Sequence, residues 1–93
     1  MLASSRELRE LRWLSLDENG ISDQGVRALI RSPFWPNLHW LGLSRNPFGN
    51  AGAQEFLSAP LPTRLFCLFL MHCQVTAPLE KELRERFGAR IHV

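Results

Sequence analysis

Residues 11–19 read LRWLSLDEN, residues 38–46 read LHWLGLSRN, and residues 65–73 read LFCLFLMHC. The three stretches align without gaps at a spacing of 27 residues, and in each of them leucine holds the first, fourth and sixth positions. The register continues beyond the quoted stretches, because Leu29, Phe56 and Leu83 also fall at equivalent places. A period that occurs three times in 93 residues predicts a repeat architecture with one supersecondary unit per copy.

Each copy predicts a short strand followed by a turn. The leucines at the fourth and sixth positions alternate with other residues, which is the period-two pattern of a strand with one buried face. Asn19 and Asn46 then fall where the backbone must turn, and an amide side chain can satisfy main-chain groups at such a turn. Cys73 takes this place in the third copy and is a weaker donor.

A helix is predicted after each turn. Asp23 and Asn50 are good N-cap residues, and Thr76 with Pro78 marks the start of the third helix. Strand, turn and helix in repetition predict parallel strands on one face and helices on the other, joined by right-handed crossovers. The apolar stripe of the last helix is formed by Leu79, Leu83 and Phe87.

Each copy fits the pattern L-x-x-L-x-L-x-x-N/C-x-apolar followed by a helix, and this pattern resembles the leucine-rich repeat of the longer, ribonuclease-inhibitor-like kind. The resemblance covers nearly the whole chain. It implies an α/β fold, namely a right-handed leucine-rich-repeat solenoid that forms a horseshoe segment of about three 27-residue repeats. Residues 1–93 then form a single domain: a remnant of a preceding repeat (1–10), three repeats (11–37, 38–64 and 65–87) and a C-terminal capping strand (88–93). Residues 83–91 resemble the C-terminal part of bacterial leucine-rich-repeat proteins.

The composition excludes several functional classes. A hydrophobic content of 45% with 22% charged residues is typical of a globular chain. The 11 basic and 9 acidic residues are interleaved, so no basic tract is present for nucleic acid. The longest apolar run is far shorter than the roughly 20 residues of a membrane span, and the start lacks the apolar region of a secretory signal. We therefore expect a cytoplasmic protein that binds neither nucleic acid nor membranes.

The outward strand positions form the candidate site. Neighbouring strands lie about 4.8 Å apart, so large rings at equivalent positions can stack into one apolar strip. Soluble proteins seldom expose such a strip without use, and Trp and Arg are frequent in binding hot spots. We therefore expect a non-catalytic module that binds a protein or peptide on its strand face, which is concave in this family. The predicted partner-binding residues are Trp13, Ser15, Asp17, Glu18, His39, Trp40, Arg45, Cys67, Phe69, Met71 and His72.

The sequence does not favour catalysis or metal binding. Cys67, His72 and Cys73 are of the right types for zinc, but Cys67 is expected outside and Cys73 inside, and no C-x-x-C pair exists. No arrangement of nucleophile, base and oxyanion donors is recognisable. We expect no enzyme activity, no metal and no cofactor.

Two alternatives stay open. The chain can be a structural capping segment or an accessory domain of a larger multidomain protein, with no binding role of its own. The first strand, in addition, is expected to have an open edge, because Arg6, Glu7, Arg9 and Glu10 offer only a partial polar cover. That edge is explained either by a longer repeat array that ends in this chain or by self-association through the uncapped edge.

Overall fold

The computed structural model describes residues 10–93, in which strands and helices alternate. The strands are β1 (Trp13–Ser15), β2 (Trp40–Gly42), β3 (Cys67–Phe69) and β4 (Ile91–His92). The helices are α1 (Asp23–Ile30), α2 (Asn50–Ser58) and α3 (Ala77–Phe87). Single turns of 3₁₀ helix lie at Trp35–Asn37 and Gly88–Arg90.

The strands form one parallel sheet in the order β1-β2-β3-β4. Trp13 lies opposite Trp40, and Trp40 lies opposite Cys67, so the register of the first three strands equals the sequence period. The predicted α/β class with a parallel sheet is therefore confirmed. β4 extends the sheet with Ile91 opposite Leu68, after Gly88 has ended α3 with a φ of +62°.

One hydrophobic core joins the sheet to the helices. Leu41 and Leu68 point into it from the strands and are fully buried, together with Val26, Phe56 and Leu83 from the three helices. Leu14, at the same position of β1, is only partly buried, because β1 lies at the edge of the sheet. The predicted division into inward and outward strand residues is thus confirmed in the middle of the sheet.

The turn after each strand contains one residue in the left-handed region of the backbone. Glu18, Arg45 and His72 have φ values of +55°, +59° and +59°. These residues occupy equivalent places in the three copies, and each directly precedes the residue predicted to satisfy the turn. A left-handed backbone is unfavourable for a side chain that is neither Gly nor Asn. The turn therefore imposes on all three residues a backbone conformation that their side chains disfavour.

Asn46 links the first two turns, as predicted for the turn asparagines. Its side chain is 2% exposed, and its Oδ1 accepts hydrogen bonds from the backbone N–H groups of Asn19 (2.9 Å) and Ile21 (3.0 Å). Its Nδ2 donates to the carbonyl oxygens of Leu16 (3.0 Å) and Leu43 (2.9 Å). One buried amide therefore satisfies main-chain groups of two copies.

The equivalent residues of the other copies make fewer side-chain hydrogen bonds. Asn19 is exposed, and its Nδ2 donates to the carbonyl oxygen of Asp17 at 3.0 Å. The thiol of Cys73 donates to the carbonyl oxygen of Leu43 at 3.3 Å. Of the three turn residues, Asn46 therefore makes the most hydrogen bonds between copies.

The expected N-cap positions of the first two helices are wrong by one residue. Ser22 and Gly49 occupy the N-cap positions, and Asp23 and Asn50 are the first helical residues. Oδ1 of Asp23 accepts hydrogen bonds from the N–H groups of Gly49 and Gly52, both at 2.8 Å. The aspartate therefore caps the helix of the next copy rather than its own.

Asn50 repeats this arrangement one copy further on. Its Oδ1 accepts a hydrogen bond from the N–H of Thr76 at 3.0 Å. Thr76 occupies the N-cap position of α3, and Pro78 lies in the first turn, both as predicted. Neighbouring copies are consequently tied together at their helix starts as well as in the sheet.

The expected remnant of a preceding repeat at residues 1–10 lies outside the described residues except for Glu10. Across residues 10–93 none of the helices has the length and apolar character that crossing a membrane requires.

Candidate functional site

The outward face of the sheet carries a continuous row of aromatic rings, which we call the aromatic strip and define as Trp13, Trp40, Phe66, Phe69 and His92. The rings of Trp13 and Trp40 are stacked with their centroids 6.1 Å apart. Trp40 contacts Phe69 at 5.5 Å, and Phe69 stacks on His92 at 4.6 Å. Phe66 meets the ring of Trp13 edge-on at 5.4 Å. The strip therefore crosses all strands of the sheet.

The absence of a side chain at Gly42 makes room for this packing. A Cβ atom at Gly42 would lie 3.0 Å from the ring of Trp40 and 3.0 Å from Oδ1 of Asp17. Both distances are shorter than ordinary van der Waals contact. The Trp40 ring can thus lie along its own strand and reach Phe69 on the next one.

The rings of the strip differ in exposure. Trp13 is 59% exposed, Phe66 is 52% exposed, and Met71 beside the strip is 41% exposed. Trp40 and Phe69 are partly buried because each is covered by neighbouring rings. A ligand on this face would meet Trp13 and Phe66 first.

Polar residues form a depression of about 370 Å³ at the carboxyl ends of the strands. Oδ1 of Asp17 accepts a hydrogen bond from the N–H of Ser44 at 2.8 Å, so this carboxylate is partly engaged in holding two turns together. Glu18 and Arg45 form an exposed ion pair at 3.5 Å. The depression is lined by Asp17, Glu18, Ser44, Arg45, Met71 and His72.

A second depression, of about 390 Å³, lies at the amino ends of the strands. His39 lines it together with the exposed side chains of Arg12 and Arg64. His39 therefore lies at the opposite end of the strands from the other polar residues predicted around the site. The polar residues predicted around the site thus form two separate regions with the aromatic strip between them.

The structure brings most of the predicted site residues to one face. Trp13, Trp40 and Phe69 are in direct ring contact, while Ser15 is exposed and Cys67 is partly buried. Phe66 and His92 complete the strip and are not among the residues that the sequence predicts for the site. His92 lies directly opposite Phe69, so the pairing of β4 with β3 is the feature that assigns His92 to the strip.

Both cysteines are free, and the pKa of each thiol is raised. Burial raises the pKa of the Cys67 thiol above its usual value. Burial also raises the pKa of Cys73, aided by the nearby charge of Asp17 and opposed by hydrogen bonds from the backbones of Asn46 and Arg45. A raised pKa disfavours the thiolate, which is the form that attacks substrates and binds metals. Within residues 10–93, no group of three His, Cys, Asp or Glu side chains is placed to hold a metal ion.

Comparison of the chain with protein-family models, with curated proteins and with solved structures finds no significant match.

Proposed function

We propose that this chain is a leucine-rich-repeat solenoid segment that acts as a non-catalytic interaction module and binds a protein or peptide on its strand face. The solenoid is supported by three features that recur with the sequence period. These features are the pairing of equivalent strand residues, the left-handed residue in each turn, and the capping of one helix start by the preceding copy.

The aromatic strip is the observation that carries the proposed function. Its two exposed rings, Trp13 and Phe66, touch each other, and Trp13 stacks on the partly buried ring of Trp40, so the two rings form a supported apolar surface. Rigid aromatic side chains lose little conformational entropy when a ligand covers them. Such residues at the centre of an interface contribute most of the binding energy.

The size of the face indicates what kind of ligand it suits. Three strand segments of about five residues each span a flat area of roughly 240 Å², compared with about 800 Å² per partner in a typical stable protein interface. An extended peptide that lies across the strip fits this area. Polar depressions at both ends of the strands offer hydrogen-bonding groups to such a peptide.

The proposal can be tested by selecting binders from a random 12-residue peptide library displayed on phage, with the purified 93-residue chain as the immobilised target. Enriched peptides are then titrated against the chain while tryptophan fluorescence is recorded. We expect Phe66→Ser to weaken binding by about tenfold or more, because it removes an exposed ring from the strip.

Matched controls separate this face from the rest of the molecule. Lys81→Ser and Arg84→Ser change exposed residues of α3 and should leave peptide affinity unchanged. Circular dichroism checks that every variant keeps the fold. If no peptide is enriched, or if the enriched peptides bind Phe66→Ser as tightly as the parent chain, the strip is not the binding surface.

One observation favours the alternative of a structural or accessory segment. Trp40 and Phe69 are already largely covered by other rings of the same chain, so part of the strip serves packing within the sheet. Under that alternative, replacement of Phe66 changes stability but no binding event. The titration above distinguishes the two functions.

A further inference from the structure

The flank of the first copy is less well covered than the corresponding positions of the other copies. Leu14 of β1 and Leu16 just after it are partly buried, whereas Leu41 and Leu43 at the equivalent places of the second copy are fully buried. Leu29 of α1 is also partly buried, while the equivalent Phe56 is fully buried. The partly buried apolar surface of the first copy, which we call the apolar flank, therefore extends over both the strand layer and the helix layer. Its partly buried residues are Leu11, Leu14, Leu16, Ile21 and Leu29.

The outer edge of β1 also offers hydrogen-bonding groups. The N–H of Leu16 donates to the carbonyl oxygen of Gly42, and the carbonyl oxygen of Arg12 accepts from the N–H of Trp40, so the even-numbered residues in and beside β1 are the ones that bind the second copy. The N–H and C=O groups of Trp13 and Ser15 consequently point away from β2. Within residues 10–93, no strand pairs with this edge.

Charged residues flank the edge with opposite signs. The exposed Arg12 directly precedes β1, with the exposed Glu10 two residues before it, and the exposed Asp17 and Glu18 follow β1, where Glu18 also pairs with Arg45 at 3.5 Å. If two copies of this strand lie antiparallel, Arg12 at the start of each strand faces the acidic end of the other. A parallel arrangement would instead place like charges side by side.

We propose that this edge is a self-association surface through which two copies of the chain join their β1 strands antiparallel around a twofold axis. The axis runs perpendicular to the sheet, so the helices of both copies stay on the same side and α1 packs beside α1 of the second copy. The apolar flank described above is then covered by the identical flank, as a twofold interface requires. The two sheets become one continuous sheet, and the edge groups of Trp13 and Ser15 gain partners.

The contact is small, because only a three-residue strand and one helix flank take part. It lies well below the roughly 800 Å² per partner of a typical stable interface. We therefore expect a dissociation constant of roughly 1–100 µM. Sedimentation of the chain between about 2 and 500 µM should show a shift from 10.7 kDa toward twice that mass.

A charge swap tests the orientation. Arg12→Glu and Glu18→Arg should each raise the dissociation constant about tenfold, since each places like charges at the interface. The double variant that carries both changes should restore the parent value within about threefold. Arg64→Glu alters the charge by the same amount at an exposed residue that lies outside β1, and it should leave the dissociation constant unchanged.

A backbone variant tests the strand pairing. Ser15→Pro removes one outward-facing N–H without removing a bond to β2, and proline is tolerated at such edge positions. We expect it to abolish the dimer while circular dichroism shows a folded monomer. The peptide binding described above is measured separately, at concentrations where the chain is monomeric, so failure of one proposal leaves the other standing.

A chain that stays monomeric at 500 µM would overturn the proposal, and amide exchange at Trp13 and Ser15 would then show whether another segment of the chain protects the edge. A dimer that tolerates Ser15→Pro and both single charge changes would overturn it as well, because association would then use another face.

Discussion

Replacement of Asn46 by alanine should remove the strongest polar link between neighbouring copies. The amide accepts two backbone hydrogen bonds and donates two more at 2.9–3.0 Å, and its Nδ2 has a longer contact with the carbonyl oxygen of Ser44 at 3.3 Å. Each bond contributes about 1 kcal/mol net, and backbone groups left without a partner in a buried turn cost further free energy. Because water can reach part of this turn after the substitution, we expect Asn46→Ala to lower the free energy of unfolding by about 3 kcal/mol.

This loss is large for a chain of this length, whose free energy of unfolding is expected to be about 5–10 kcal/mol. Urea unfolding followed by tryptophan fluorescence measures it, with the slope of the unfolding curve checked for constancy. Two variants calibrate the result. Asn19→Ala breaks one exposed hydrogen bond and should cost less than about 1 kcal/mol. Asn46→Cys imitates the third copy and should retain one bond, as Cys73 does.

The expected order of stability is therefore parent, Asn19→Ala, Asn46→Cys and Asn46→Ala. A loss below about 1 kcal/mol for Asn46→Ala, or equal losses for the alanine variants at residues 19 and 46, would refute the inference that the buried amide joins the copies.

Three further predictions concern single residues. His72→Gly should stabilise the fold by roughly 0.5–1 kcal/mol, because glycine adopts the left-handed backbone at this position without strain; an unchanged urea midpoint would contradict this. Gly52→Ala should destabilise by about 1–3 kcal/mol although alanine favours helices, since the new Cβ would lie 2.7 Å from Oδ1 of Asp23; a rise in melting temperature would show that this contact relaxes freely. The raised pKa of Cys73 means that the unfolded chain releases the thiol proton first, so stability present at lower pH should decline above about pH 8.5. Cys73→Ala should decline less over that range, and identical pH profiles would exclude the thiol as the cause.

The sheet could be predicted from the sequence because its decisive signal is periodic. Leucines that recur in register fix which residues pair and which side faces the core, and Leu41 and Leu68 are buried as this logic requires. The parallel order of the strands follows from the helix between each pair.

The helix starts were harder to predict, since a polar side chain near a helix N-terminus can cap either of two helices. Asp23 is close in sequence to the start of α1, but its carboxylate binds the backbone at the start of α2. Sequence position favours the local partner, and only the packing of neighbouring copies makes the distant one available.

The sequence identifies only some members of the aromatic strip, because the position of the other rings depends on the packing of neighbouring copies. Trp13, Trp40 and Phe69 occupy outward strand positions, so alternation identifies them. Phe66 precedes β3, where alternation does not assign a face, and its contact with Trp13 crosses from the third copy to the first. The direction in which a ring leans is set by its neighbours, such as the bare backbone of Gly42, and not by its own position in the repeat.

The register of the copies can be measured directly by nuclear Overhauser effects between leucine methyl groups in the 93-residue chain. Leu14, Leu41 and Leu68 occupy equivalent places in three adjacent strands. The stacked arrangement predicts contacts from the methyl groups of Leu41 to those of both other leucines and to the core ring of Phe56. Absence of these contacts, or rapid solvent access to Leu41, would contradict the stacking of copies on which the proposed binding face depends.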